Sequence, residues 1–423
     1  MLQVSFIADN KDRVVAALRK KNFTDVHLIE EIVATDGSRK KLKHQLDTVL
    51  TESNQLSKQV GKLFSEGKKQ EAESLKNRSA ELKEQAKKID EELADAEKRV
   101  KEKLVLLPNL PHLSVPDGKS PEDNVIVAEE GKLPELPSNA VPHWDLIVKY
   151  DLIDIELGTK ITGAGFPVYK KKGAKLQRAL IQFFLDEAIK AGYEEVIPPY
   201  LVNEDTAFAT GQLPDKDGQM YETKLDKFYL IPTAEVPVTN IFRDVILEEK
   251  DLPAKRVAYS PCFRREAGSY GKDVRGLNRV HQFDKVEIVQ IQHPEKSYQT
   301  LEEMVEHVKG LLTKLQLPYR VMKLCGGDMS FTSALTYDME VYSGGQKRWL
   351  EVSSISNFET FQSNRMKLRF RGKDGKTQLA HTLNGSALAL PRIVAALLEN
   401  NQTAEGIIIP EALRVYTGFD KIA

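Results

Sequence analysis

The chain has 423 residues, 41% hydrophobic and 29% charged, enough for two or three domains around a sizeable core. Its 61 Lys and Arg balance 62 Asp and Glu, so the whole molecule is no polycation and any nucleic-acid contact must come from local basic patches. Two cysteines, Cys262 and Cys325, leave no disulfide framework or four-cysteine zinc site; with no signal-peptide pattern and no membrane-length apolar run, a soluble cytoplasmic protein is expected.

Residues 1–24 read as a short cap with an amphipathic helix around 9–20. Leu42, Leu46, Val49, Ser53, Leu56, Val60 and Leu63 then recur at spacings of four and three. After Glu66-Gly67-Lys68 the rhythm resumes at Ala72, Leu75, Ser79, Leu82, Ala86, Ile89, Leu93, Ala96 and Val100. Two heptad runs about a glycine turn predict an antiparallel coiled-coil arm over about 25–104, each limb on the order of 50–60 Å at 1.5 Å per residue. Small residues at several seam positions imply close helix approach. Arg39, Lys40, Lys43, Lys58 and Lys62 on the first limb admit two readings. They are a solvated coiled-coil face, or they displace counterions from a phosphate backbone.

Pro108-Asn109-Leu110-Pro111 ends the arm domain (1–107), because proline cannot continue a helix. Residues 108–141, rich in Pro, Gly and Asp, read as a linker onto a main domain over 142–423. There Lys175–Ala191 is an amphipathic helix ended by Gly192, and a strand leads into Pro198-Pro199-Tyr200. Thr233-Ala234-Glu235 follows an apolar strand, where a Glu is usually a surface charge.

Phe263-Arg264-Arg265-Glu266 and His281-Gln282-Phe283-Asp284-Lys285-Val286-Glu287 sit at the joined ends of two antiparallel strands with a long connection. Alternation puts Arg264 and Glu266 on one face, and Phe283, Lys285 and Glu287 on one face of the returning strand. A fixed cation, an aromatic plate and two carboxylates suit a phosphorylated nucleobase compound beside a small amine. The plain alternative is a surface hairpin whose Arg and Glu pair. Glu351-Val352-Ser353-Ser354 lies on a β-rich stretch, where serines are often turn formers. Leu383-Asn384-Gly385-Ser386 is a strand entering a helix that contains Pro391 and Arg392. A P-loop, a dinucleotide fingerprint and zinc-ligand spacing are all missing, so any metal should be carboxylate- and phosphate-bound, which points to Mg2+.

These words together, with Arg-Arg-Glu-Ala-Gly-Ser-Tyr-Gly at 264–271 and Arg275-Gly276-Leu277, resemble the class II aminoacyl-tRNA synthetases, and the seryl family of bacterial type most closely. The resemblance implies an α+β fold: an antiparallel β-sheet core flanked by helices, with the N-terminal coiled-coil arm. It implies that ATP, with Mg2+, activates L-serine to seryl-adenylate, and that the seryl group passes to tRNA(Ser) and also to tRNA(Sec). Thr233, Ala234, Glu235, Glu287 and Ser386 would then bind serine, Glu235 taking the α-ammonium and Glu287 the hydroxyl. Arg264, Arg265, Glu266, Val280, Phe283, Glu351, Val352, Ser353, Ser354 and Arg392 would bind ATP, with Glu351 and Ser354 on the metal. Arg39, Lys40, Lys43, Lys58 and Lys62 would meet tRNA. Family precedent also implies a homodimer built on the element 192–201, the arm of one subunit serving tRNA held by the other.

Many family members read Gly-Leu-Ala-Val-Gly-Arg where this chain reads Ala387-Leu388-Ala389-Leu390-Pro391-Arg392, so Pro391 should kink or start the helix there. Arg365 and Arg369 are left open between tRNA-facing and solvated. Two rival functions remain: a paralogue that activates an amino acid without charging tRNA, and a non-enzymatic interaction or RNA-binding protein on a synthetase scaffold. The intact arm opposes the first. Retention of Glu235, Arg264, Glu287, Glu351 and Arg392 opposes the second.

Overall fold

The computed structural model describes residues 1–215, 217–267 and 275–423. The chain forms two compact units, residues 1–19 with 23–108, and residues 20–22 with 109–423.

In the first unit, α1 (Val4–Asp9) and α2 (Lys11–Lys20) replace the single expected helix. The break is at Asn10, whose side-chain amide donates to the Phe6 carbonyl (3.0 Å). The arm is α3 (Leu28–Ser65) against α4 (Lys69–Leu104), turned at Gly67, whose φ of +78° a side chain would strain. The heptad seam is the buried face: Leu46, Val49, Ser53, Ala72, Ser79, Leu82, Ala86, Leu93, Ala96 and Val100 are all buried. Where serines meet, the helices come close enough for Ser57 and Ser79 to share a hydrogen bond (3.1 Å). Near the start of the arm, Asp36 is buried and ion-paired with Arg39 (2.8 Å) and Lys40 (2.9 Å).

The second unit is built on a sheet of β1 (Val125–Glu130), β2 (Glu194–Glu195), β3 (Ala254–Phe263), β4 (Gln282–Gln292), β5 (Tyr319–Lys323), β6 (Leu335–Ser343), β7 (Arg348–Asn357) and β8 (His381–Ala389). Their spatial order is β1-β5-β6-β7-β8-β4-β3-β2, antiparallel throughout except β2 beside β3. The helices α5 (His143–Lys149), α6 (Lys171–Lys190), α7 (Glu204–Thr210), α8 (Glu235–Asn240), α9 (Ser297–Lys314), α10 (Phe361–Met366) and α11 (Leu390–Asn400) surround it. Strand alternation divides the sheet. Val286, Ile288, Met339, Val341, Ile355 and Leu383 join the main apolar core with Phe183, Phe184, Leu301, Val308, Ile393 and Leu397 from α6, α9 and α11. The intervening residues of β4, among them Lys285 and Glu287, line a cleft on the opposite face.

Two segments depart from the sequence reading. The apolar run Val125-Ile126-Val127, expected inside a linker, is the edge strand β1 paired with β5. Lys21, expected in the N-terminal cap, belongs to the larger unit, where its buried ammonium donates to the carbonyls of Ser333 (2.8 Å), Phe331 (3.3 Å) and Asn109 (3.4 Å). No periodicity announces a lysine that satisfies loop carbonyls.

A polar knot ties the cleft's far wall to the core. The His143 Nδ1 faces the Glu399 carboxylate at 2.7 Å, and both side chains are fully buried. Glu399 also accepts from the backbone N–H groups of His143 (2.9 Å), Gly345 (3.0 Å) and Gln346 (3.2 Å), and from the Ser343 hydroxyl. The His143 Nε2 accepts from the Leu277 N–H (2.9 Å), which leaves Nδ1 as the donor to Glu399. Glu399→Ala would strand several buried donors at once. The expected cost is about 3 kcal/mol or more, read as a lower urea midpoint, with Glu399→Gln losing less because it keeps one acceptor.

Candidate active site

A cleft of about 510 Å³ lies on the polar face of the sheet, walled by the ends of β3, β4, β7 and β8 and by the start of α8. The expected hairpin is present: β3 pairs with β4 from Phe263 opposite Gln282 to Ala254 opposite Ile291. Phe283, Lys285 and Glu287 all line the cleft, as alternation required. Arg264 and Glu266 also line it, but not as neighbours on one strand face. The strand ends at Phe263, and Glu266 adopts a φ of +47° that turns the chain.

At the closed end, Glu287 is completely buried and ion-paired with Lys285 (2.6 Å), whose Nζ also donates to the Thr233 hydroxyl (2.9 Å). The register sets Ser386 directly across from Glu287, and Ser386 Oγ (3.4 Å) and Asn384 Nδ2 (2.9 Å) donate to its carboxylate. Glu235 opens α8 beside them and receives the Gln362 amide at 2.7 Å. Burial, then the charge of Glu287, push the Glu235 carboxyl up, the Gln362 hydrogen bond and the charges of Lys285 and Arg264 pull it down, and the balance leaves it at about 7. Glu287 therefore has its own fixed cation, and Glu235 is the carboxylate left to receive one.

The other end is open and cationic. Arg264 lies 5.2 Å from the centre of the Phe283 ring and donates to the Pro232 carbonyl (3.3 Å). Glu266 pairs with Arg279 (2.9 Å). Arg392 is aimed by two carbonyls, Asn278 O (3.1 Å) and Glu351 O (2.6 Å), and its guanidinium stands 3.8 Å from the Glu351 carboxylate. Pro391 sits in the first turn of α11 and starts that helix rather than kinking it, so Ser386 and Arg392 both face the cleft. Val280, Val352, Ser353 and Ser354 complete this wall, with the Ser353 hydroxyl spent on the Ser386 carbonyl (2.5 Å).

Two expected site residues stand outside the cleft wall. Ala234 is fully buried behind Thr233, and Arg265 is exposed, its N–H donating to the Gln219 carbonyl (2.9 Å). The words at 268–271 fall outside the described residues. On the arm, Lys43 pairs with Asp47 (3.2 Å) and Lys62 with Glu66 (4.0 Å), while Arg39 and Lys40 hold Asp36 and Lys58 is exposed. Arg365 is neither solvated nor outward-facing. It is buried between Phe208 and Phe361, donating to the carbonyls of Phe208 (2.9 Å) and Leu213 (3.1 Å). Arg369 is exposed on a short strand.

Sequence reasoning gave no role to Asn278, Gln362 or Asn384, and none to Lys285 beyond its place on the strand face. Asn384 had a usable signal, since it stands two residues before Ser386 on one strand. Gln362 had none, because a buried helical glutamine is visible only once its partners are in place.

Two family models match the chain: the seryl-tRNA synthetase N-terminal domain over residues 1–111, and the class II tRNA synthetase core domain (G, H, P, S and T) over residues 220–401. A serine–tRNA ligase of Salinibacter ruber is 50% identical over 424 residues, covering 100% of this chain and 99% of its own length. One from Trichlorobacter lovleyi is 46% identical, covering 99% and 98%. Among solved structures, the seryl-tRNA synthetase of Pyrococcus horikoshii complexed with ATP superposes with a TM-score of 0.92 at 33% identity, covering 100% of this chain and 99% of that one.

The charge pairing of the cleft can be tested without any substrate. Lys285→Met would leave Glu287 buried beside Glu235 with no fixed cation. The expected loss of stability is about 3 kcal/mol or more, read as a lower urea midpoint.

Proposed function

The chain belongs to the seryl-tRNA synthetase family of class II, whose members join L-serine to tRNA(Ser) using ATP, and we propose that its cleft divides that work between a closed serine end and an open ATP end. The observation that carries this division is the burial of Glu235 and Glu287 against the exposed Glu351 and the half-buried Arg264 and Arg392 of the opposite wall.

Glu235 receives the serine ammonium, since it is the buried carboxylate without a lysine partner. Glu287 accepts the serine hydroxyl: a carboxylate has about four acceptor positions, and Lys285, Asn384 and Ser386 occupy three. An amino acid lacking the hydroxyl leaves that position empty, a penalty of about 1–3 kcal/mol that disfavours alanine and glycine. Thr233 and Ser386 complete the wall, and Ala234 contributes by packing.

At the open end Phe283 stacks on adenine, while Glu266 and the chain at Val280 border the nucleotide. Arg264 and Arg392 pin the phosphates. The serine carboxylate oxygen attacks the α-phosphorus in line, forming the O–P bond of seryl-adenylate as the bond to pyrophosphate breaks. No protein nucleophile is needed; positioning and guanidinium charge on the phosphoryl oxygens lower the barrier. A terminal ribose hydroxyl of tRNA then attacks the adenylate carbonyl and AMP leaves.

Mg2+ fits the same wall. Glu351 presents a half-exposed carboxylate and Ser354 a hydroxyl, hard oxygen donors of the type the ion takes together with phosphate oxygens. No cluster of three His, Cys, Asp or Glu among the described residues could hold a metal unaided. When bound, the ion would neutralise phosphate charge.

The arm supplies reach for tRNA, with Arg39, Lys40, Lys43, Lys58 and Lys62 as its phosphate contacts. tRNA(Sec) is a second acceptor, the enzyme is a cytoplasmic homodimer, and the exposed Ile189 and Ile197 flanking β2 support an interface there.

ATP–pyrophosphate exchange across the amino acids, followed by charging of total tRNA, tests the whole reading; exchange without serine dependence would refute it. Arg264→Ala should lower serine-dependent exchange at least a hundredfold, about 2.7 kcal/mol of lost transition-state stabilisation. Replacing residues 39–104 by a short loop should spare exchange and abolish charging. Retained charging would refute the role given to the arm.

A further inference from the structure

The most constrained group around the serine end is one that no motif names. Gln362 lies on α10, 1% exposed, with both ends of its amide engaged. Its Nε2 donates to Glu235 Oε1 (2.7 Å) and to the Thr210 carbonyl (3.2 Å), and its Oε1 accepts from the Thr382 hydroxyl (2.7 Å). The orientation of the amide follows from chemistry alone. The Thr210 carbonyl can only accept, so the edge that touches it must be the NH2 edge, and the same edge meets Glu235. Thr382 must then donate to the oxygen.

That arrangement favours one of the two forms of Glu235. An NH2 group can only donate, and a carboxylate oxygen is a stronger acceptor than the carbonyl oxygen of a carboxylic acid, so the contact at Oε1 stabilises the charged form over the neutral one. The charged groups facing Glu235 are Glu287 and Lys285 from β4 and Arg264 from the end of β3. α7 offers the Thr210 carbonyl. From α10 comes the neutral Gln362 amide, while Arg365 one turn on is directed at Phe208 and Leu213. Lys285 is already committed to Glu287 and Thr233. Gln362 is a hydrogen-bond donor on the Glu235 carboxylate.

We propose that Gln362, locked by Thr382 and the Thr210 carbonyl, is a positioning residue of the amino-acid site: it fixes the Glu235 carboxylate and keeps it charged for the incoming ammonium. The proposal rests on the assignment of that ammonium to Glu235. Opposing tendencies act on this carboxyl, burial and Glu287 pushing it up and Gln362 among the groups pulling it down, with about 7 as the balance. Without the amide it titrates higher.

The test is the pH dependence of the serine KM in pyrophosphate exchange. In the parent enzyme the serine KM should rise as pH falls through about 7, because a protonated Glu235 cannot receive an ammonium. Gln362→Met, which keeps the length and removes the donor, should move that rise upward by about one pH unit, raising the serine KM about fivefold at neutral pH. The KM for ATP should not move. Thr382→Val should shift the profile in the same direction by less, and Thr382→Ser should retain the parent profile; these two carry the test should Gln362→Met fail to fold. A Gln362→Met profile that coincides with the parent, or equal increases in both KM values without a shift, would overturn the proposal. Glu235→Gln separates it from its premise: if that variant saturates with serine normally, the ammonium assignment falls. If it does not, an unmoved Gln362→Met profile removes the inference alone.

Discussion

The ion pair between Lys285 and Glu287 is the constraint on which the rest of the catalytic unit depends. Glu287 is wholly buried on a central strand, and a carboxylate there is tolerable only with a fixed cation and hydrogen bonds on its remaining positions. Lys285, two residues away on the same face, supplies the first. Asn384 and Ser386 on β8 supply the second, and they can do so only in the register that sets Ser386 opposite Glu287. A slip of β4 by one residue would turn Lys285 and Glu287 into the apolar core, away from Asn384 and Ser386, and Val286 and Ile288 into the cleft. Pairing of β4 with β8 and charge balance in the site are one requirement.

Much of this was legible in the chain. Elements whose information is periodic or local came through: the heptads of the arm, Gly67 at its turn, the β3–β4 hairpin and the strand-to-helix passage at Ser386. The site motifs converge because each sits at a strand end or helix start of one sheet. What did not come through depends on partners distant in sequence. Val125–Val127 looked like a linker because an edge strand is defined by its neighbour, 198 residues away in the pairing of Val125 with Lys323. Arg365 looked like a surface charge because arginine usually is one; only the fold reveals two carbonyls and two aromatic rings around it. Arg264 and Glu266 share the cleft through a turn, where strand alternation has no authority.

The arm obeys a different economy. Its seam alternates leucines with serines and alanines, so it buries little apolar surface per turn, and helix length with close approach compensates. A wide leucine-only seam would be stronger, but small residues hold two long helices as a slender rod. Most of the charge sits outside the seam, and Lys43 and Lys62 have acidic neighbours four residues on. Such exposed i, i+4 pairs contribute only a few tenths of a kcal/mol each. A polyanion can therefore recruit those cations at small cost, which reconciles an arm that is electrostatically quiet by itself with the phosphate contacts proposed for it.

The catalytic cleft runs from dry to wet, and the division of chemistry proposed for it follows that gradient. In that proposal discrimination falls to the dry end, where an unmade hydrogen bond to Glu287 is not replaced by water. Phosphate handling falls to the wet end. There Arg264 and Arg392 are aimed by carbonyl oxygens, which orient a guanidinium without neutralising it, and Glu351 touches Arg392 only at 3.8 Å. Full carboxylate partners would have cancelled the charge that a triphosphate requires. The same logic accounts for the neutral glutamine on Glu235 at the closed end: a lysine in its place would fill the position proposed for the substrate's own ammonium.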